Sequence, residues 1–197
     1  ALPYERLPRD SDQSANYISA LLEIDSLPNQ SITFVSAASI THAVLSPSDL
    51  QTHLRQIRTG QIVRQAELFT WAASVGYEPV TIVQRVGEVA RRGGIIDIYS
   101  PGSAGPTRLD FFGDEIDSIR LFDSNSQRSL ERIDSLVLLP AIELPVWDLP
   151  LAARAFRQLD LSPLRFEVRE ELARTLERAG DGAIPTELDL FAPFLLE

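Results

Sequence analysis

Thr107-Arg-Leu-Asp-Phe-Phe-Gly-Asp-Glu-Ile-Asp-Ser-Ile-Arg120 reads as two short strands joined by a two-residue turn. Gly113-Asp114 supplies the turn, because a tight hairpin favours primed turns and glycine takes positive φ at no steric cost. Counted outward from that turn, Phe112 faces Glu115, Phe111 faces Ile116, Asp110 faces Asp117, Leu109 faces Ser118 and Arg108 faces Ile119. Alternation puts Leu109, Phe111 and Ile116 on one face, which suits a core. The other face carries Arg108, Asp110, Phe112, Glu115 and Asp117, an aromatic among charges. Two acids opposite each other repel, so Asp110 and Asp117 call for a nearby cation from Arg92, Arg108 or Arg120. Phe112 beside arginine has the composition of a protein-binding hot spot, and packing under a loop or helix of the same chain is the alternative.

The surrounding sequence is also strand-rich. Apolar runs at Val80 to Val83, Ile95 to Tyr99, Thr107 to Phe112, Glu115 to Phe122 and Ile133 to Leu139 are separated by Gly-, Pro- and Asn-containing turns. A strand near Leu54 to Ile57 and an amphipathic helix from about Arg64, with Leu68, Phe69, Ala72 and Ala73 and a Gly76 cap, precede them. The expectation is an antiparallel meander packed with one helix. Before it, Tyr17, Ile18, Leu21, Leu22 and Leu27 recur at helical spacing up to Pro28. A buried strand over Ile32 to Val35 and a small helix from Ser39 to Leu45 follow, with Ser46-Pro47-Ser48-Asp49 as a turn and boundary. Beyond Pro140 come Pro145, Pro150 and Pro163, then a helix over Phe166 to Ala179 with Val168, Leu172 and Leu176 at spacing four. Overall this is an α+β chain.

Composition narrows the chemistry. The 197 residues contain no Cys and no Met, and all 18 of the basic residues are arginine. Without lysine there is no phosphate-binding loop of the Walker type and no Schiff-base catalysis, and without cysteine no disulfide, thiolate metal site or Cys nucleophile. A chain that starts at Ala1 and lacks Met reads as part of something longer. The net charge of −10 divides as −3 over residues 1–84, −1 over 85–132 and −6 over 133–197. That balance opposes non-specific nucleic-acid binding, whereas the Arg-dense middle suits a local surface for carboxylates, or a solvated face. No stretch approaches the roughly 18 consecutive apolar residues of a membrane span, and the N-terminus lacks the pattern of an export signal. A cytoplasmic, non-membrane protein is expected. Asp110, Asp114, Glu115 and Asp117 could be imagined as a glycosidase pair or hard-metal site, but strand carboxylates on a solvent face are more often solvated. His42 and His53 match no ligand spacing.

Arg91-Arg-Gly-Gly-Ile-Ile-Asp-Ile-Tyr99, Pro101-Gly-Ser103, Arg108 to Arg120, Asp123-Ser-Asn-Ser-Gln-Arg-Ser-Leu-Glu131 and Leu138-Leu-Pro-Ala-Ile-Glu-Leu-Pro145 together resemble the N-terminal UvrB-like region of the bacterial transcription-repair coupling factors, the Mfd family. UvrB, the family-level alternative, shares the Phe-Phe-Gly-Asp-Glu-Ile part, but its Tyr-rich DNA-clamping hairpin has no counterpart here. The resemblance implies a partial, ATPase-dead RecA-like α/β segment over residues 1–50, a β-rich UvrA-binding domain over 51–140 and a helical UvrB-like segment over 141–197. It implies a non-catalytic module that recruits UvrA to lesion-stalled RNA polymerase. ATP and magnesium would belong only to a motor elsewhere in the intact protein, as would contacts to RNA polymerase and DNA. A C-terminal domain of the intact protein would mask the module until activation. Carried over by position, UvrA contacts fall on Arg92, Arg108, Phe112 and Asp114, with Arg91, Asp110, Glu115 and Asp117 in support; either Arg91 or Arg92 takes the first of these roles.

Overall fold

Alternation and turn chemistry build most of residues 78–138 into one sheet. The structure is a computed structural model that describes residues 11–26, 32, 34, 36 and 44–196. These form two compact units that meet in sequence between Glu143 and Leu144.

The first unit opens with α1, Ser11–Ser26, whose Ile18 is fully buried. The strand and small helix expected between Ile32 and Leu45 lie for the most part outside the described residues. The Ser46-Pro47 stretch, read from sequence as a turn, starts a helix instead, α2, Pro47–His53. The Asp49 N–H donates to Ser46 Oγ at 3.1 Å, so Ser46 is an N-cap and proline sits in the first turn, where its missing N–H costs nothing. Next come β1, Arg55–Arg58, and α3, Gln65–Ser74, ended by Gly76 at φ +98°. A Cβ at Gly76 would lie 2.8 Å from the Ile142 side chain, a second reason for glycine there.

Six strands then make the main sheet: β2, Glu78–Pro79; β3, Glu88–Arg92; β4, Ile95–Ile98; β5, Thr107–Phe112; β6, Glu115–Phe122; and β7, Ser129–Ile133. They lie side by side in sequence order, antiparallel except for the parallel β2–β3 pair. A separate pair joins β1 to β8, Ser135–Leu138. Two expectations are corrected here. Val80 to Val83 is a bend rather than a strand, and the strand paired with β4 is β3, whose Glu88-Val-Ala-Arg-Arg lacks a strong apolar run.

One face of the sheet contributes Val89, Ile96, Ile98, Leu109, Ile116 and Ile119, all fully buried, and α3 packs on β3 with Leu68 and Ala72 inside. At about 25 cal/mol per Å², each such side chain contributes about 1.5–3 kcal/mol. Beside this layer the Tyr77 hydroxyl donates to the Leu139 carbonyl at 2.7 Å, and the Leu139 N–H donates to Ser100 Oγ at 3.0 Å. Burial pushes the Tyr77 hydroxyl far above its ordinary range, so it stays a neutral donor.

The second unit is helical. A short 3₁₀ turn leads into α4, Leu149–Phe156, and then α5, Phe166–Gly180, a second 3₁₀ turn and α6, Ala192–Leu195. The sequence hides α4 because Pro150 looks like a breaker, yet it occupies the first turn. Phe156 packs on Phe191 and Phe194 with ring centroids 5.6 and 5.1 Å apart, and Arg157 Nη2 donates to the Leu176 carbonyl at 2.8 Å. In α5, Leu172 and Leu176 are buried as their spacing demands, while Phe166 and Val168 stay exposed.

Candidate protein-binding surface

The second face of the sheet holds the residues singled out from sequence. In the β5–β6 hairpin only Gly113, the first central residue of the turn, has positive φ, at +64°, the pattern of a type II′ turn. Phe112 pairs with Glu115 and Phe111 with Ile116, as counted from the turn. Beyond that point the expected register fails. Asp110 pairs with Ser118, Leu109 with Ile119 and Arg108 with Arg120, because Asp117 is the extra residue of a bulge. The physical gain is plain: a repelling Asp–Asp pair is replaced by a Ser118 Oγ hydrogen bond to Asp110 Oδ2 at 2.7 Å. Arg120 Nη2 stands 3.5 Å from the same oxygen, so one of the three candidate cations does serve Asp110. Asp117 is exposed, and its carbonyl accepts from Arg132 Nη2 at 3.1 Å.

The other two cations converge on a residue the sequence reading passed over. Asp97 on β4 pairs with Arg108 across the sheet and with Ala90 on the opposite side. Its side chain is completely buried. Arg108 reaches it in fork geometry, Nε to Oδ1 at 2.7 Å and Nη2 to Oδ2 at 2.9 Å, and Arg92 Nη2 adds a third contact to Oδ2 at 2.9 Å. Hydrogen bonding to Asp97 raises the Arg108 pKa further, so its charge is permanent. A buried carboxylate needs such compensation, and paired forked bonds are its strongest form. The signal available in the sequence was alternation: an acid at the third position of Ile95-Ile-Asp-Ile98 interrupts an otherwise apolar strand.

Register also separates the two adjacent arginines. Arg92 lies opposite Ile95 and shares a face with Asp97 and Arg108, whereas Arg91 lies opposite Ile96 on the other face. Arg92 is therefore the one grouped with the hairpin. Arg108 is only 17% exposed and its guanidinium carbon sits 4.8 Å from the Phe122 ring centroid, a cation–π contact at its back. It is a scaffold as much as a contact. Phe112, by contrast, is 83% exposed. The alternative that it packs beneath its own chain does not hold. Asp114 and Glu115 are exposed at the same tip, and the Asp114 carbonyl accepts the Val63 N–H at 2.7 Å. Among the described residues no group of three or more His, Cys, Asp or Glu is placed to hold a metal ion, and no helix is long and apolar enough to cross a membrane.

The surface is thus a solvent-facing aromatic on a strand pair, next to a buried Asp97 that gathers a largely buried Arg108 and a half-exposed Arg92. Residues 56–144, which include every residue of this surface, match the family described as the UvrB interaction domain. Over 98% of its length the chain is 32% identical to the transcription-repair-coupling factor of Escherichia coli K12, of which it spans 16%. It is 35% identical to the transcription-repair-coupling factor of Haemophilus influenzae over 75% of the chain and 13% of that protein. The UvrABC system protein B of Thermotoga neapolitana is 30% identical over 72% of the chain and 20% of its own length. The chain is thus similar to one region of the transcription-repair-coupling factors, its residues 56–144 match the UvrB interaction domain, and it spans a fifth or less of the length of these curated relatives.

Proposed function

We propose that this chain is the UvrA-docking module of a transcription-repair-coupling factor, a non-catalytic cytoplasmic segment that recruits UvrA to RNA polymerase stalled at a lesion. The observation that carries the reading is Phe112, 83% exposed on a braced hairpin within the matched domain. In this reading Phe112 enters an apolar recess of UvrA, Arg92 and the open edge of Arg108 meet carboxylates, and Asp114 meets a cation. Asp110 and Glu115 flank these contacts, while Arg91 and Asp117 lie outside the group that the register assembles. RNA polymerase, DNA and ATP are engaged by other regions of the intact protein, whose C-terminal domain covers this face until activation. The likeness over 98% of the chain to a coupling factor, against 72% to a UvrB protein, favours this over a UvrB-type role in handling damaged DNA.

Calorimetric titration of the chain with purified UvrA tests the proposal. The parent binds, and Phe112→Ala and Asp114→Lys each weaken binding tenfold or more without changing the circular dichroism. Parent affinity retained in both variants overturns the placement, and a folded parent that does not bind overturns the docking role.

A further inference from the structure

The chain between β1 and α3 returns to the hairpin and extends its surface. The Gly60 N–H donates to the Ile116 carbonyl at 2.8 Å, the Ile116 N–H to the Gln61 carbonyl at 3.0 Å and the Val63 N–H to the Asp114 carbonyl at 2.7 Å. Ile62 thereby forms a bridge with Glu115. Phe112, Glu115 and Ile62 stand in one row across three adjacent segments, so their side chains leave the sheet on the same side. The bond pattern makes Ile62–Glu115 a non-hydrogen-bonded pair and Phe112–Glu115, next to the turn, a hydrogen-bonded one. Cα separations of about 4.5 and 5.5 Å then put Phe112 and Ile62 about 10 Å apart.

Ile62 is 78% exposed, close to the 83% of Phe112. Its carrier is nonetheless well fixed. The Arg58 N–H donates to Gln61 Oε1 at 3.0 Å and the Gln61 N–H returns to the Arg58 carbonyl at 3.1 Å, around Gly60 at φ +81°. A β-branched apolar side chain held in water by ordered backbone on every side is preorganised for contact, because little entropy remains to be lost on docking. It also lies inside the matched domain segment, residues 56–144.

We propose that Ile62 is a second apolar anchor of the docking face, and that the UvrA surface it meets has two apolar recesses about 10 Å apart with a cation between them facing Glu115. This rests on the UvrA reading and deepens it. The acidic centre between two exposed apolar side chains is the charge feature that selects such a partner, since a rim charge left against a like charge would oppose binding.

The chain has no cysteine, so Ile62→Cys creates a single addressable thiol. Titration with purified UvrA is expected to show a tenfold or greater loss of affinity for Ile62→Glu and a loss of a few fold for Ile62→Ala. Saturating UvrA should slow maleimide labelling of the Ile62→Cys thiol at least tenfold. Parent affinity in Ile62→Glu together with unprotected labelling overturns the inference. If Phe112→Ala still abolishes binding in that case, the docking reading stands and only the second anchor is lost. If neither Phe112→Ala nor Ile62→Glu affects binding, or the parent does not bind, both fall.

Discussion

Phe112 and Phe122 occupy opposite ends of the same face of the same two-strand hairpin, and they have opposite fates. Phe122 is 1% exposed and Phe112 is 83% exposed. Both stand among charged neighbours in sequence, but strict alternation from the turn would put Phe122 on the face of Ile116, and it is the bulge at Asp117 that brings it to the face of Phe112. The difference is the loop over residues 80–87, which covers one end only. Val83 and Ala90 close over Phe122, with Val80 and Tyr99 packed against the cluster. Glu88 fastens that loop, accepting from the Gln84 and Arg85 N–H groups at 2.7 and 2.9 Å and from Arg85 Nε at 3.0 Å. Gln127 ties it from the far side, donating from Nε2 to the Val83 carbonyl at 3.1 Å. At the covered end an aromatic is packed into the fold, and at the open end the same residue type is left in solvent. Between them Asp97 holds Arg108, whose guanidinium lies against the Phe122 ring.

The largest effect should follow loss of that middle brace. Asp97→Ala leaves two guanidinium groups without their buried partner and is expected to cost about 3–5 kcal/mol in urea unfolding. A loss under 1 kcal/mol, roughly a surface-pair value, would break the view that the cluster braces the sheet. Phe122→Ala is expected to cost about 3–5 kcal/mol. Phe112→Ala, exposed, should fall within about 0.5 kcal/mol of the parent. Similar losses at the two phenylalanines would erase the contrast.

Glu88 gives a smaller and pH-dependent effect. Burial alone would raise its carboxyl pKa, but the Gln84 and Arg85 hydrogen bonds and the Arg85 charge more than offset this and hold it below its ordinary value. A lowered folded pKa means stability that is present above the unfolded value and lost as pH falls through the folded one. Glu88→Gln should therefore cost about 1–2 kcal/mol at pH 7. Its thermal midpoint should approach that of the parent as pH drops below about 4. A midpoint difference that stays constant from pH 7 to pH 3 would sink this account. The smallest effect concerns the turn. Gly113→Ala, with nothing within 4 Å of the added Cβ but φ at +64°, should cost about 1 kcal/mol. Tight UvrA binding should persist if the hairpin keeps its register.

Much of the hairpin was legible because its signals are local. A Gly-Asp turn sets the pairing of Phe112 with Glu115 and of Phe111 with Ile116, and the period of two assigns each side chain a face. Legibility stopped at Asp117, since a bulge depends on what lies across the sheet and not on the residue itself. The same holds for the proline-led helices α2 and α4, where proline reads as a break until its position in the first turn is known. Strand β3 escaped notice because Glu88 is held by loop backbone and its apolar content is low.

By itself, then, the sequence determined an α+β chain without lysine or cysteine chemistry, a charged hairpin face with Phe112 on it, and a likeness that the comparisons bear out. Tertiary structure alone decided that Asp97 gathers Arg92 and Arg108, that Arg92 rather than Arg91 shares their face, and that Ile62 joins Phe112 across Glu115. The division has one physical cause. Turn preference and side-chain alternation act between neighbours in the chain, whereas burial and ion pairing act between segments brought together only when the sheet closes.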